Sequence, residues 1–253
     1  DKQWGPSADM ANTWFGRSRD WYVSGAKPGE TTGSFMNPLD IAVIPDKKDG
    51  DSFAVLDAAG RIQIFDPSGR VSISWKVSIP PRAQPKLGGE AYLLWVDRSD
   101  QLIAVMQNRA VTYTLQGEEI GQWKITDGTP RTAEVSPKGQ LLFGIGNKVV
   151  QYHPEGARYG EVITSEQLGS GHEDFDLALD EDNKLWALTD AGMIVKFKKP
   201  GKVDFAVRAI DYPLKNPRIA VHDGMIYFTS QNSIKQIDAR QAKMDAESAE
   251  EEE

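Results

Sequence analysis

The sequence contains no cysteine among its 253 residues. Disulfide bonds and thiolate chemistry are therefore excluded, and the composition does not reveal the redox state of the compartment. Apolar runs are also short, and none approaches the roughly 18 residues that a membrane-spanning helix needs. Hydrophobic residues nevertheless make up 40% of the chain, which is enough to form a sizeable core.

The chain also lacks an excess of positive charge. Its 29 Lys and Arg residues are outnumbered by 37 Asp and Glu residues, which gives a formal net charge of −8. Six of these carboxylates fall in residues 245–253, "DAESAEEEE", so the rest of the chain has a net charge of −2. Nucleic-acid binding needs a basic surface that neutralises phosphates, and we therefore expect no nucleic-acid partner.

The first ten residues, "DKQWGPSADM", do not begin with Met and do not follow the charged-then-apolar pattern of a signal peptide. This start is typical of a processed or a trimmed chain. We take it to favour a periplasmic or secreted location, with a cytoplasmic location as the alternative.

Short hairpins with a glycine in the turn recur along the chain. The stretch "GRIQIFDPSGRV" at 60–71 is followed by similar stretches at 109–123, 147–162 and 192–207. The turn glycines are 48, 39 and 45 residues apart, at Gly69, Gly117, Gly156 and Gly201. Six residues after the first two stand Trp75 and Trp123, which we expect to pack between successive repeats.

Two further apolar runs precede each hairpin. They are rich in Val, Ile and Leu, last four to seven residues, and fall within 40–57, 92–107, 132–146, 176–190 and 218–231. Gly, Pro, Asp and Asn separate the runs, which is typical of short strands. Four strands in each unit of about 44 residues predict an all-β fold, a β-propeller with four-stranded antiparallel blades. Five blades are expected, with six as the alternative.

The fifth unit contains only three recognisable strands. The lone strand-like run "RDWYVSG" at 19–25 is predicted to supply the fourth, which closes the ring and covers an exposed sheet edge. The predicted organisation is an N-terminal arm and closing strand over 1–32, the propeller over 33–240 and an acidic tail over 241–253. Because we find six uncompensated acids and no apolar face in this tail, we expect it to be frayed or disordered unless a basic partner orders it.

Residues 33–69 resemble the NHL repeat. The matching positions are Gly33, Phe35, Pro38, "IAV" at 41–43, Gly50, Val55, Asp57 and "RIQIF" at 61–65. The fourth unit, which starts at Asp176, is similar to NHL repeats and more distantly to lactonase-like propellers, with Asp190 aligned to Asp57. NHL propellers usually have six blades. The resemblance implies a non-catalytic scaffold for protein binding or assembly, including subunits of larger complexes.

Polar residues at the start of the innermost strands are predicted to converge on one mouth of the channel. They are Asp40, Glu90, Arg131, Glu134, His172, Glu173, Asp174, Asp176 and Arg218. Such a surface suits a protein partner or a small polar ligand. The alternative is a lactonase- or glycosidase-type hydrolase, which needs a divalent cation or a pair of carboxylates.

Each of these acids also has an ordinary explanation at a turn or strand end. Asp176, for example, is expected to accept backbone donors at a turn. The sequence therefore assigns no catalytic residue, no metal ligand and no cofactor. Trp4 and Trp14 belong to a tryptophan-rich N-terminus that either contacts a partner or lies over a blade edge.

Overall fold

The computed structural model describes residues 32–36, 38–46, 48–78, 91–96, 99–136, 138–169, 174–199, 201–230 and 233–251. This part of the chain contains nineteen β-strands in five sheets and one α-helix. The predicted N-terminal arm, its closing strand at 19–25, and Trp4 and Trp14 lie outside the described residues and stay predictions.

The chain divides into two compact units, Asp1–Thr126 and Asp127–Glu253. The first unit contains two four-stranded sheets. Their strands are β1 (Pro38–Ile44), β2 (Ser52–Asp57), β3 (Arg61–Phe65) and β4 (Val71–Lys76), then β5 (Ala91–Val96), β6 (Gln101–Met106), β7 (Arg109–Thr114) and β8 (Glu119–Lys124).

The second unit contains two four-stranded sheets, a three-stranded sheet and the helix. The four-stranded sheets consist of β9 (Thr132–Val135), β10 (Leu141–Ile145), β11 (Lys148–Tyr152) and β12 (Arg158–Ile163), then β13 (Phe175–Leu179), β14 (Leu185–Thr189), β15 (Met193–Lys199) and β16 (Lys202–Arg208). The third sheet is formed by β17 (Ile219–His222), β18 (Met225–Ser230) and β19 (Ser233–Asp238), and α1 (Ala239–Glu251) follows it.

Within every sheet the strands lie in chain order and pair antiparallel with their neighbours. The predicted all-β fold with five antiparallel propeller blades is confirmed. The fifth sheet has three strands in the described part of the chain, as the sequence indicated. The stretch "DEDNK" at 180–184 connects β13 and β14 as a hairpin turn.

Burial follows position in the sheet. The second strand β10 and the third strand β3 are buried at every position, because both of their faces pack against other residues. The fourth strands β4 and β8 alternate between partly buried and exposed side chains over most of their length, because one face contacts solvent.

Trp75 packs between successive sheets of the first unit, as predicted. Its ring centroid lies 5.7 Å from that of Tyr113 on β7. A Cβ built at Gly117 would lie 2.8 Å from the Trp75 ring, so the hairpin glycine of the second sheet makes room for the indole of the first. Gly117 also has a φ of 83°, which disfavours any side chain there.

The expectation of a frayed tail is wrong for residues up to 251. The helix α1 packs its small face against the preceding sheets, with Ala242 and Ala246 buried beside Phe205. The Asp238 carboxylate caps the helix by accepting the backbone N–H of Arg240 at 2.7 Å. The large apolar side chains come from β16 and β19, and within residues 239–248 the buried positions of the helix are alanines. This helix is too short and too polar to cross a membrane.

The expected alignment of Asp190 with Asp57 is also wrong by one residue. Asp40 pairs with Leu56 in the first sheet, and Asp176 pairs with Leu188 in the fourth. Asp57 and Thr189 therefore occupy the same position. Each accepts the backbone N–H four residues further on, through Asp57 Oδ1 at 3.1 Å and Thr189 Oγ1 at 3.3 Å.

Candidate functional site

The described site residues lie at or near the first strand of each sheet. Asp40 is on β1 in the first unit. In the second unit, Arg131 and Glu134 belong to the first sheet, Asp174 and Asp176 to the second, and Arg218 precedes β17. Glu90, His172 and Glu173 lie outside the described residues, and their proposed participation stays a prediction.

Asp176 connects three first strands of the second unit. Its side chain is buried, and Oδ1 accepts the Thr132 hydroxyl of β9 at 2.6 Å. Oδ2 accepts the backbone N–H of Ile219 on β17 at 3.0 Å, and the Arg218 guanidinium donates to Oδ1 at 3.3 Å. The expected turn role of Asp176 is therefore wrong, because the residue lies on β13 and its carboxylate accepts donors from the two neighbouring sheets.

Burial raises the pKa of the Asp176 carboxyl above its ordinary value. The positive charge of Arg218 opposes this effect, as do the hydrogen bonds from Thr132 and from the backbone of Ile219. These donors occupy both oxygens of the carboxylate, although burial has the larger effect on its pKa. This arrangement suits a structural connector better than a proton donor.

The same connection recurs at equivalent positions. Asp40 Oδ2 accepts the backbone N–H of Leu93 on β5 at 2.8 Å, and Thr132 Oγ1 accepts that of Leu177 on β13 at 3.3 Å. Each acceptor therefore holds the first strand of the next sheet. Asp40 and Asp176 thereby have structural roles as connectors between sheets.

Gly144 makes room for this connection in the second unit. It pairs with Thr132, and a Cβ built on it would collide with Thr132 Cγ2 and with the Phe175 ring. The absent side chain allows β9, β10 and β13 to approach closely enough for Thr132 to reach Asp176. The glycine is visible in the sequence, but only the strand pairing shows that Thr132 and Phe175 occupy the space beside it.

Four predicted residues come together as one surface, which we name the polar edge: Arg131, Asp174, Asp176 and Arg218. Arg131 Nη1 lies 3.8 Å from Asp174 Oδ1, with the two side chains 48% and 30% exposed. The backbone carbonyl of Asp174 accepts the N–H of Asp190, which fixes the start of β13 against the β14–β15 turn. The polar edge therefore alternates positive and negative groups on a rigid backbone.

Glu134 is not at the start of its strand. It pairs with Leu142 across the sheet, two residues beyond Thr132, and is half-buried. Its proposed participation in the ligand-binding surface stays a prediction. No group of three or more His, Asp or Glu residues suited to a metal ion occurs within the described ranges.

Sequence reasoning missed a cleft beside the polar edge, which we name the blade-four cleft. Its volume is about 350 Å³, and it is lined by Asp190, Ala191, Arg208, Asp211, Tyr212 and Pro213. These residues belong to the β14–β15 turn, the end of β16 and the segment that leads to β17. The run "DYP" at 211–213 is the available signal in the sequence, but its residues lie several positions before the start of β17.

Comparison with known proteins places the chain among β-propellers by structure alone. The WD40 domain of Neurospora crassa Pan2 is similar over 82% of this chain, with a TM-score of 0.58 and 13% identity. A Bacteroides caccae protein of unknown function is similar over 80% of this chain and 78% of its own, with a TM-score of 0.50 and 13% identity. The chain spans 64% of the Pan2 chain.

No protein-family model matches the sequence, and no curated protein matches it. The resemblance to NHL repeats is thus not confirmed by these comparisons. At 13% identity, the structural likeness establishes the fold and carries no ligand or activity from one protein to the other.

Proposed function

We propose that this chain is a non-catalytic propeller that binds a protein partner through the polar edge of its second unit. The observation that carries the proposal is the bonding of Asp176. A hydrolase would keep a carboxylate available for the substrate, whereas this one accepts donors from Thr132, Ile219 and Arg218. Asp40 supports the same interpretation, because its carboxylate accepts the Leu93 amide.

The polar edge suits recognition of a protein surface. Arg131 and Asp174 are partly exposed and stand on residues whose backbone is hydrogen-bonded, through Arg131 N–H to Gly144 and through Asp174 C=O to Asp190. Fixed, alternating charges select a partner with the complementary arrangement and guide its orientation. A small polar ligand with both charges would fit the same groups.

The finer assignments belong to this proposal. We infer an NHL-like scaffold that takes part in a larger assembly, with a propeller over 33–240 flanked by an arm at 1–32 and an acidic segment at 241–253. Glu90, His172 and Glu173 are proposed to extend the ligand-binding surface. Trp4 and Trp14 are proposed as additional contacts to the partner.

A hydrolase of lactonase or glycosidase type is the second candidate. The observation in its favour is the raised pKa of Asp176, a buried carboxyl two residues along the chain from the more exposed Asp174, since a carboxyl group that keeps its proton can act as a general acid. The Arg218 and Thr132 contacts of Asp176 weigh against this candidate.

The test is quantitative capture from native lysate by wild type, Arg131→Glu and Lys184→Glu. Lys184 is exposed in the β13–β14 turn, so its substitution makes the same charge change away from the polar edge. We expect one protein to be captured by wild type and by Lys184→Glu in similar amounts. Arg131→Glu should capture at least about tenfold less of it. Equal capture by both variants would place the partner surface elsewhere and overturn the proposal.

A further inference from the structure

The blade-four cleft lies between the β14–β15 turn and the segment that follows β16. Three backbone hydrogen bonds hold its two walls together. Ala209 N–H donates to the Gly192 carbonyl at 2.9 Å, Ile210 N–H donates to the same carbonyl at 3.3 Å, and Leu214 N–H donates to the Asp190 carbonyl at 2.7 Å. The β14–β15 turn and the segment after β16 are therefore fixed relative to each other.

Gly192 permits this close approach. It has a φ of 77°, and a Cβ built on it would collide with the backbone carbonyl of Ile210. A side chain at this position would push the two walls apart. The cleft is therefore present before any ligand arrives, which lowers the cost of binding.

The polar groups of the cleft favour a cation. Asp190 and Asp211 contribute two carboxylates against the single guanidinium of Arg208. Arg208 is itself held in the wall, because its Nη1 donates to the Ala191 carbonyl at 3.2 Å. The formal charge of the lining is thus −1, and the positive group within it is already directed toward a backbone oxygen.

The remaining lining suits the hydrocarbon part of a long side chain. The Tyr212 hydroxyl is hydrogen-bonded to Ser230 Oγ at 2.6 Å, so the aromatic ring is held in one orientation beside Pro213. Aromatic rings attract guanidinium and ammonium groups. A volume of about 350 Å³ lies at the small end of the range for ligand sites and is sufficient for one such side chain.

We propose that the blade-four cleft binds an arginine or lysine side chain of the protein partner. This inference rests on the proposed function and names the chemistry of one contact. The cleft is linked to the polar edge by the hydrogen bond from Asp190 N–H to the Asp174 carbonyl at 2.8 Å. One extended segment of a partner can therefore reach both surfaces.

The test uses N-acetyl-arginine amide as the probe, with the uncharged N-acetyl-citrulline amide and the anionic N-acetyl-glutamate amide as comparisons. Binding to the full chain is followed by NMR at the backbone amides of Ala191, Arg208 and Asp211. We expect saturable shifts with the arginine probe and at least about tenfold weaker binding of citrulline, because the charge interaction is lost. Asp211→Asn should weaken the binding of the arginine probe by a similar factor.

Asp182→Asn, at an exposed turn residue outside the cleft, is the matched control and should leave the binding unchanged. Equal binding of citrulline, preferential binding of the glutamate probe, or no shift at these amides would overturn the cleft proposal. These results would leave the lysate comparison of Arg131→Glu with Lys184→Glu unaffected. If Arg131→Glu and Lys184→Glu capture the partner equally but the arginine probe still binds, the cleft remains a binding site. The polar edge would then no longer be the partner surface.

Discussion

At the scale of single residues, Asp176 has more structural consequence than any other member of the polar edge. Its side chain is 11% exposed and bonds to β9, β17 and Arg218, whereas Asp174 makes one long ion pair at the surface. Removing a buried acceptor leaves its donors without a partner. Removing a surface charge leaves groups that water can solvate.

We therefore predict that Asp176→Ala lowers the free energy of unfolding by about 3 kcal/mol. Asp174→Ala should change it by no more than about 1 kcal/mol. Urea denaturation at pH 7 measures both values. Equal losses for the two variants would contradict the connecting role of Asp176.

Asp127, at the start of the second unit, is a second carboxylate that is held by charged and polar donors. Its Oδ2 accepts the Tyr152 hydroxyl at 2.6 Å and Arg158 Nε at 2.7 Å, while Oδ1 accepts Arg158 Nη2 at 2.9 Å. The Arg158 hydrogen bonds are the main reason that the pKa of Asp127 falls to about 2, and Tyr152 and Lys148 add to them. The network fixes the chain that leads into β9.

The lowered pKa gives a definite direction of pH dependence. Because the folded state holds the Asp127 proton more weakly than the unfolded state, its stabilisation is present above the ordinary carboxyl pKa of about 4. It is lost as the pH falls from there through about 2. We predict a steeper loss of urea resistance between pH 4 and pH 2 for wild type than for Asp127→Asn.

The control for this measurement is Asp182→Asn, which removes a carboxylate from an exposed turn. Its pH profile should follow that of wild type. An Asp127→Asn profile that also follows wild type would show that the Arg158 contact does not stabilise the fold.

Sequence reasoning located Asp40 and the members of the polar edge but did not assign their structural roles. Asp40, Asp174, Asp176, Arg131 and Arg218 were found because turn and strand signals are local in the chain. The acceptor role of Asp176 depends on Thr132 and Ile219, 44 and 43 residues away, and on the space left at Gly144. Such contacts follow from how adjacent sheets stack, which spacing alone does not encode.

At the scale of secondary-structure elements, the strands were predictable and the packing of the helix was not. Each hairpin carries its own alternation and turn residues, so β3–β4 and β7–β8 can be recognised in isolation. The buried positions of the helix within residues 239–248 are alanines. Its apolar partners lie on β16 and β19, so its sequence alone indicates a solvated segment.

We predict that Ala242→Asp destabilises the protein by at least about 2 kcal/mol, because it buries an unpaired carboxylate against Phe205 and Ile237. Ser248→Asp adds the same charge at an exposed position of the same helix and should change stability by no more than about 0.5 kcal/mol. Thermal unfolding monitored by circular dichroism compares the two. A melting temperature for Ala242→Asp that equals that of Ser248→Asp would show that the helix does not pack.

At the scale of the whole molecule, repetition made the fold predictable and also made the function hard to assign. Every blade uses the same strand order, so polar residues at the start of first strands recur whether or not they bind anything. The connections made by Asp40 and Asp176 show that this position can serve the architecture. The choice between binding and catalysis therefore depends on the exposed members of the polar edge, not on the number of acids near it.

The choice can be tested directly on the full chain. If the polar edge binds without reacting, hydrolase activity on a panel of lactones and glycosides should be no greater for wild type than for Asp174→Ala or Glu90→Ala. Protein purified without chelator should contain no stoichiometric divalent metal, and EDTA should leave its melting temperature unchanged, because the contacts of Asp176 are with protein donors. The Lys184→Glu variant serves as the control for charge. Turnover that either substitution abolishes, or one tightly bound metal ion per chain, would decide in favour of the hydrolase.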